Sequence, residues 1–338
     1  MTTTPTPSHA PVATSLPEGA CPFADTVRNH VAKTVVGQQV VVERVLIALL
    51  TGGHLLLEGV PGIAKTLLVQ SVARAIDLRF ARVQFTIDLL PSDIVGSEIL
   101  DQKSGEFRVH KGPIFTNLLL ADEINRASPK VQSALLEAMQ ERRVSIGDTT
   151  YDLPAPFLVI ATQNPVEQAG TFELPEAQLD RFLLRHRLRY PTPEEESEVV
   201  RRSLQLKLKR QGDGAVPMSA FDAIDDSRKL HVRDLSAAMA AVQAIHVSEV
   251  FIRDCVELVN ITRRHPDVEL GCSPRAALAL VHASRARAFV HGRDFVVPED
   301  FFALADDVIL HRMRLTYEAL AVGKTPEAVL ADMLRTMS

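Results

Sequence analysis

The segment GVPGIAKT at residues 59–66 constrains the fold of this chain more than any other stretch of its sequence. It follows a short apolar run, HLLLE at residues 54–58, and it precedes a stretch with helical periodicity from Lys65 to Ile76. A run this apolar is typical of a strand buried on both faces of a parallel sheet. A glycine-rich turn between such a strand and a helix presents backbone N–H groups that bind anions. The segment therefore predicts a phosphate-binding loop inside an α/β fold.

Each part of this loop has an expected contact with ATP and its magnesium ion. The backbone N–H groups of residues 59–64 would surround the phosphates, Lys65 would reach the outer two, and the Thr66 hydroxyl would hold Mg²⁺. Ala64 stands where the strict pattern has glycine, and its methyl group is tolerable if the residue is near helical geometry. The alternative is a strand-to-helix turn that happens to contain glycine and lysine. The predicted contact residues are Gly59, Val60, Pro61, Gly62, Ile63, Ala64, Lys65, Thr66 and Leu67.

Two carboxylates, Asp122 and Glu123, follow a second apolar run, LLLA at residues 118–121. The carboxyl ends of parallel strands share one edge of a sheet, so we expect both side chains beside the loop. There Asp122 would hold the Mg²⁺ water shell, and Glu123 would orient and polarise the attacking water, as hydrolysis requires. The alternative is that they only cap the segment that follows, since acids favour helix starts.

A third apolar strand pattern, FLVIATQNP at residues 157–165, ends in a polar cluster. Asn164 is the residue that we expect to hydrogen-bond the γ-phosphate or the attacking water, and Gln163 is the competing candidate. An Asn-Pro pair at a strand end is also a common turn, so this assignment depends on its neighbours.

Strand and helix patterns alternate as far as residue 190, which predicts a doubly wound parallel sheet. Two predicted hairpins interrupt the alternation: SEILDQKSGEFRVHKGP at residues 97–113 and RVSIGDTTYDLP around residues 144–154. Strand signals then vanish, apart from a brief run near Val296, and amphipathic helices alternate with loops such as GDGAVP. The predicted divisions are a disordered tail at residues 1–24, a nucleotide-binding core at 25–190 and a helical domain at 191–338.

Charge and cysteine usage restrict the partners and the compartment. The formal net charge of -5 gives no broad attraction to a phosphate backbone, which argues against nucleic acid as a partner. We interpret the basic stretch RRSLQLKLKR as a solvated face for the same reason. The three cysteines show no CxxC spacing, and no secretory signal or membrane-spanning stretch is evident. We therefore expect a cytoplasmic protein.

Six motifs occur in order along the chain: VVGQ, GVPGIAKT, LLLADEINRA, ATQNP, LPEAQLDRF and SPRAAL. With these motifs, the chain resembles the MoxR family of AAA+ ATPases over nearly everything after the tail. The resemblance implies an AAA+ P-loop NTPase core, with a parallel sheet flanked by helices, and a C-terminal all-α lid domain. It also implies ATP hydrolysis in a ring, commonly a hexamer, and a protein client such as a von Willebrand factor A domain protein.

The resemblance further assigns roles to two arginines. Arg181, in LPEAQLDRF, matches the residue that contacts the γ-phosphate of a neighbouring subunit, and Arg185 is a competing candidate. A local ion pair of Arg181 with Asp180 or Glu176 is the alternative. Arg275, in SPRAAL, matches the second sensor at the start of a lid helix, from where it would touch the same phosphates. An ordinary surface arginine after a Ser-Pro helix start is the alternative there.

The resemblance also concerns the base and the client. Val36 and Gly37, in VVGQ, match the segment that packs against adenine, although a simple helix break would give the same pattern. The hairpins at residues 97–113 and 144–154 match inserts that point to the central channel in related rings, so we expect them to contact a client. Two other functions stay open: a nucleic-acid motor with the same inserts, and a small-molecule kinase that transfers phosphate to an acceptor.

Overall fold

The computed structural model describes residues 19–60, 62–103, 105–165, 170–224 and 230–337. Most of the predicted tail (residues 1–18), Pro61 of the loop and Ser104 of the first hairpin turn lie outside these ranges. In chain order the helices are α1 (Pro22–Ala32), α2 (Gln39–Thr51), α3 (Lys65–Ala75), α4 (Pro91–Val95), α5 (Pro129–Glu141), α6 (Glu176–Leu179), α7 (Pro193–Leu204), α8 (Val232–Ala244), α9 (Glu249–Arg264), α10 (Pro274–Val290), α11 (Pro298–Ile309), α12 (Tyr317–Ala321) and α13 (Pro326–Met337). The strands are β1 (Leu55–Glu58), β2 (Phe80–Gln84), β3 (Gly96–Asp101), β4 (Glu106–Lys111), β5 (Leu118–Asp122), β6 (Arg143–Ile146), β7 (Thr149–Asp152), β8 (Leu158–Gln163), β9 (Leu184–Arg187), β10 (Leu208–Gln211), β11 (Gly214–Pro217), β12 (Val268–Leu270) and β13 (Arg314–Leu315).

Five parallel strands form the central sheet in the order β2-β5-β8-β1-β9. The leucines of β1 and β5 are fully buried, because helices cover both faces of the sheet. The predicted α/β core with a parallel sheet is therefore confirmed. Since β8 lies between β1 and β5, its end separates the loop after β1 from the acids after β5.

The edge strand β9 was not predicted from the sequence. It pairs with β1 in a register that aligns Leu184 with Leu55. Its sequence, LRHR, contains one strongly apolar residue, so it carries little of the periodicity that indicates a strand. This segment becomes a strand because it pairs with the free edge of β1, which lies far from it in the sequence.

Both predicted hairpins are confirmed. Strands β3 and β4 pair antiparallel, and so do β6 and β7. The ammonium of Lys111, at the end of β4, lies 4.7 Å from the ring centroid of Phe115 and 5.0 Å from that of Tyr151 in β7. This shared cation–π contact joins the bases of the two hairpins.

The chain after Tyr190 is mainly helical, as predicted, but it also contains two small antiparallel sheets, β10–β11 and β12–β13. The segment GDGAVP, which we expected to be a loop, forms the turn and second strand of the β10–β11 hairpin. These strands are mostly exposed, so they lack the apolar alternation that would have indicated them. Near Val296 there is a single bridge between His246 and Phe295.

The first helix begins at Pro22, inside the segment that we assigned to the tail, and Cys21 and Ala24 are buried. One continuous apolar core includes residues of α1, α2 and α3 together with residues of α8 to α13. The core therefore crosses the predicted boundary near Tyr190. Among the helices that the structure describes, none combines the length and the apolar character needed to cross a bilayer.

Candidate nucleotide site

The loop between β1 and α3 has the geometry of an anion site. Gly62 and Ala64 have positive φ angles of 89° and 50°, and α3 begins directly after them at Lys65. Within the described part of the chain, the N–H groups of Gly62, Ile63 and Ala64 have no hydrogen-bond acceptor. Free N–H groups at the positive end of a helix are suited to phosphate oxygens.

Lys65 connects this loop to the acidic pair. Its ammonium donates a hydrogen bond of 2.8 Å to the carbonyl of Gly59, so the side chain folds back across the loop. Burial lowers the pKa of Lys65, while the negative charges of Asp122 and Glu123 act in the opposite direction. The charge of Lys65 is therefore coupled to the charges of both carboxylates.

The carboxylate of Asp122 is held in one orientation by two neighbouring strands. Its Oδ1 accepts a 2.6 Å hydrogen bond from the hydroxyl of Thr162 in β8, and its Oδ2 accepts one of 2.6 Å from Arg82 in β2. Oriented carboxylate and hydroxyl oxygens are the ligands that Mg²⁺ binds together with substrate phosphates. Asp122 therefore offers an oriented carboxylate of the kind that Mg²⁺ accepts, and the second predicted ligand, Thr66, lies in the first turn of α3 directly after the loop.

The next residue, Glu123, has a different set of partners. Its Oε2 accepts a 2.8 Å hydrogen bond from Gln84 and lies 3.1 Å from Nε of Arg126. Its backbone is left-handed, with φ of 58°, and its N–H donates to the buried Thr162 hydroxyl at 2.8 Å. In the described structure the Glu123 side chain makes no capping hydrogen bond to the helical turn at residues 124–126, which disfavours the capping alternative.

Three of these partners were missed in the sequence analysis: Thr162, Arg82 and Gln84. Thr162 is a polar residue in an otherwise apolar strand, FLVIAT, and this contrast was an available signal. Arg82 and Gln84 become recognisable only once β2 is known to pair with β5, where Gln84 aligns with Asp122.

Asn164 follows β8 directly and is 5% exposed. The carbonyl of the preceding Gln163 accepts a 3.1 Å hydrogen bond from the N–H of Gly59, so the end of β8 is tied to the loop. Because β8 lies between β1 and β5, Asn164 is positioned between the predicted phosphate-binding loop and the acidic pair.

An apolar cavity of about 840 Å³ opens beside the loop. Its lining includes Val36, Ile63 and Leu67, which were predicted, together with Val199 and Val200 of α7, which were not. A cavity of this size with apolar walls suits a planar heteroaromatic base. The α7 residues were missed because they line this cavity only once the C-terminal half has packed beside the loop.

Gly37, the second residue predicted to contact the base, lies at the turn before α2 with a φ of 66°. It lines an adjoining, more polar cavity, which shares Gln38 and Tyr190 with the apolar one. In the described residues, Val36 therefore contacts the apolar cavity directly, whereas Gly37 shapes the turn next to it.

Arg181 lies at the opposite edge of the sheet from the loop of its own chain. The N–H of Leu183 donates a 2.8 Å hydrogen bond to the carbonyl of His54, the residue before β1, so Arg181 is at the amino ends of β1 and β9. The loop follows the carboxyl end of β1. At about 3.3 Å per residue, the two ends are roughly 15 Å apart.

The alternatives for Arg181 are disfavoured by the ion pairs around it. Asp180 pairs with Arg312 at 2.9 Å, and Glu176 pairs with Arg314 at 2.5 Å. Within the part of the chain that the structure describes, the guanidinium of Arg181 makes no ion pair of its own. It lines a small polar cavity formed with α5.

The competing arginine, Arg185, lies inside the sheet edge in β9. Its Nε donates a 2.7 Å hydrogen bond to Glu58 Oε2 at the end of β1. The positive charge of Arg185 is therefore paired with Glu58 of its own chain.

Arg275 is in the first turn of α10, and its Nη1 lies 3.8 Å from Oδ2 of Asp180. Arg275 is thus next to the segment that carries Arg181, and it is absent from the described lining of the apolar cavity beside the loop. We expected Arg275 to touch the same phosphates as Arg181. Its charged partner, Asp180, lies with Arg181 at the opposite sheet edge from the loop of its own chain.

The chain is similar to known proteins over most of its length. Residues 54–184 match the model of the ATPase family associated with various cellular activities, and residues 260–333 match that of the AAA lid domain. The chain is 44% identical to Chaperone MoxR1 of Mycobacterium tuberculosis, over 98% of this chain and 88% of that protein. It is 32% identical to Protein MoxR of Methylorubrum extorquens, over 90% and 91% of the two chains.

A solved structure from Cytophaga hutchinsonii, described as that of a candidate ATPase, superposes with a TM-score of 0.82. It shares 43% identity with this chain and covers 93% of it, and 94% of its own chain is matched. The family models, the named relatives and the solved structure are consistent with one another. The chain belongs to the MoxR family of AAA+ ATPases.

Proposed function

We propose that this protein hydrolyses ATP in a head-to-tail ring, with each nucleotide bound between two copies of the chain, and uses the energy to remodel protein partners. The single observation that carries the proposal is the separation of the charged groups. The loop amides, Lys65 and the acidic pair are at one sheet edge, while Arg181 is at the other. A second copy in head-to-tail contact would bring the two halves together, and such contacts form a ring when the rotation between copies closes.

In one copy, the N–H groups of the loop and Lys65 bind the phosphates, and the cavity lined by Val36 receives the adenine. Thr66 and Asp122 would hold Mg²⁺ together with the phosphates, and the ion would supply positive charge next to the phosphoryl oxygens. Glu123 orients the attacking water and accepts its proton, and Asn164 hydrogen-bonds the water or the γ-phosphate.

The neighbouring copy supplies Arg181, whose permanently charged, planar guanidinium stabilises the negative charge of the transition state. Arg275, beside Asp180, approaches the same nucleotide from the same copy. We expect a hexamer, by the family resemblance.

The client is a protein, and the relative named as a chaperone supports this class of substrate. We assign client contact to the two joined hairpins, where Ile99 and Phe107 are 54% and 68% exposed. A von Willebrand factor A domain protein is the candidate that we would test first. We further propose a cytoplasmic location, in which the buried thiols of the three cysteines stay reduced.

Phosphate release and nucleotide binding by purified variants test the site. Lys65→Ala should lose most of its nucleotide affinity. Glu123→Gln should bind ATP normally but hydrolyse it about a hundredfold more slowly, or worse, because the general base is lost. Chelating Mg²⁺ should abolish turnover, and Arg233→Ala on the exposed face of α8 is the control. Normal turnover in Glu123→Gln would refute the assigned chemistry.

Mixed rings test whether Arg181 acts on the neighbouring copy. Arg181→Ala should keep nucleotide affinity and lose about a thousandfold or more in kcat. A mixture with Glu123→Gln contains junctions where an intact site faces an intact Arg181, so the mixture should turn over faster than either variant alone. If mixing gives no gain, the arginine does not act across the junction.

A further inference from the structure

Asp180, the residue before Arg181, is the centre of a hydrogen-bonded cluster that connects two distant parts of the chain. The cluster consists of Asp180, Ser273, Arg275 and Arg312, and we call it the Asp180 cluster. Asp180 follows α6, Ser273 and Arg275 begin α10, and Arg312 follows α11. More than ninety residues therefore separate Asp180 from each of its partners in the sequence.

Arg312 is 6% exposed and uses its guanidinium on both sides of Arg181. Its Nε donates a 2.9 Å hydrogen bond to Oδ1 of Asp180, and its Nη2 donates one of 2.5 Å to the carbonyl of Phe182. Its Nη1 donates to the carbonyl of Leu183 at 3.3 Å. One buried, planar group thus holds the carboxylate before Arg181 and the backbone carbonyls after it.

The second oxygen of Asp180 is held from α10. The hydroxyl of Ser273 donates a 2.8 Å hydrogen bond to Oδ2, and Nη1 of Arg275 lies 3.8 Å from the same atom. Ser273 also caps α10 by accepting the N–H of Arg275 at 3.2 Å. Any movement of α10 relative to the sheet therefore acts on the carboxylate next to Arg181.

We propose that Arg312 and Asp180 are positioning residues for Arg181. Through them, the helical domain determines how the Arg181 side chain is oriented toward the nucleotide of the neighbouring copy. This inference rests on the proposed role of Arg181 across the junction. Neither residue touches the nucleotide of its own chain, because both are at the amino edge of the sheet, with Arg181.

The expected signature is a loss of kcat without a loss of nucleotide affinity. A displacement of about 1 Å in a catalytic group can cost about a hundredfold in rate. Asp180→Asn, which removes the charge but keeps the shape, should therefore lower kcat by about tenfold to a hundredfold. Arg312→Lys keeps the positive charge but loses the planar guanidinium that donates to several carbonyls. It should lower kcat by a similar factor.

The mixed-ring assay supplies a readout that a purely structural role would not affect. Asp180→Asn subunits retain an intact loop, Lys65 and acidic pair, so mixing them with Glu123→Gln subunits should restore turnover above that of either alone. Arg314→Gln is the matched control. Arg314 also joins the two segments, through exposed pairs with Glu176 and Glu269, and its loss should change kcat by no more than about twofold.

The outcomes separate this inference from the proposed function. If Arg181→Ala abolishes turnover while Asp180→Asn and Arg312→Lys are normal, the positioning role is wrong and the proposed function stands. If both variants lose activity and mixing does not restore it, the cluster serves its own chain's site and the inference is again wrong. If Arg181→Ala is itself fully active, Arg181 has no role across the junction, and both the proposed role and this inference are wrong.

Discussion

Ala64 adopts a left-handed backbone, with φ of 50° and ψ of 27°, immediately before Lys65. From the sequence, we expected a methyl group to be tolerable at this position if the backbone is near helical geometry, and the left-handed backbone does not meet that condition. A residue other than glycine in this conformation costs about 1–2 kcal/mol. The loop therefore carries local strain, which the burial of the flanking β1 and α3 offsets.

Ala64→Gly should raise the free energy of unfolding by up to about 1 kcal/mol, because relief of the left-handed strain exceeds the extra unfolded-state entropy of glycine. Denaturant unfolding would measure it. The control is Ala240→Gly on the exposed face of α8, where the same change in a right-handed helix should cost about 1 kcal/mol. Equal destabilisation by both substitutions would contradict the strain at Ala64.

At the scale of elements, the first hairpin depends on a close backbone approach at its base. Gly96 begins β3 with φ of 106°, and a Cβ atom there would lie 2.2 Å from the carbonyl oxygen of His110 in β4. Because the crowding atom belongs to the backbone of a paired strand, it cannot turn aside. The strands join at this point only if residue 96 has no side chain.

Gly96→Ala should therefore remove about 2 kcal/mol or more of local stability from β3 and β4. Amide hydrogen exchange would show faster exchange at residues 97–111, with unchanged nucleotide affinity. The control is Gly105→Ala near the hairpin turn, where φ is 71° but an added Cβ meets nothing within 4 Å. It should cost only about 1 kcal/mol. Equal effects would show that the close approach does not matter.

At the scale of the whole molecule, the two predicted domains share their interior. Besides the common apolar core, buried ion pairs connect α2 with the C-terminal helices. Arg44 of α2 pairs with Asp307 of α11 at 2.5 Å, and Glu43 pairs with Arg287 of α10 at 3.2 Å. Burial raises the pKa of Glu43, but its hydrogen bond to His291 and the nearby arginines outweigh this and lower the pKa to about 2. The helical domain is therefore joined firmly to the core.

Asp300→Ala tests whether the core and the helical domain unfold as one unit. Asp300 has no exposed surface and pairs with Arg287 and Arg293, both at 2.6 Å. Its removal takes this carboxylate from the guanidinium of Arg293 and leaves that of Arg287 with Glu43 alone. Stability should fall by about 3 kcal/mol or more. The chain has no tryptophan, so scanning calorimetry is the suitable probe.

A single calorimetric transition should move to lower temperature as a whole. The control is Asp332→Ala, whose ion pair with Arg335 on α13 is exposed, and which should leave the transition in place. Two separate transitions, of which only one moves, would show that core and lid unfold independently.

The parts of this protein that the sequence determined by itself are local in the chain. The glycine-rich loop before α3, the acidic pair, the hairpins and four of the five sheet strands each result from a contiguous pattern of apolar residues, glycines and charges. Such patterns persist because backbone geometry and burial act over a few neighbouring residues.

Only the tertiary structure decided the features that depend on distant contacts. The strand β9, the bond from Thr162 to Asp122, the α7 wall of the cavity and the Asp180 cluster all join segments that lie far apart in the chain. The same is true of Arg181, which is at the opposite sheet edge from its own loop because β9 runs parallel to β1. Pairing register and side-chain contact across such separations leave no local pattern, and they exist only once the sheet has assembled.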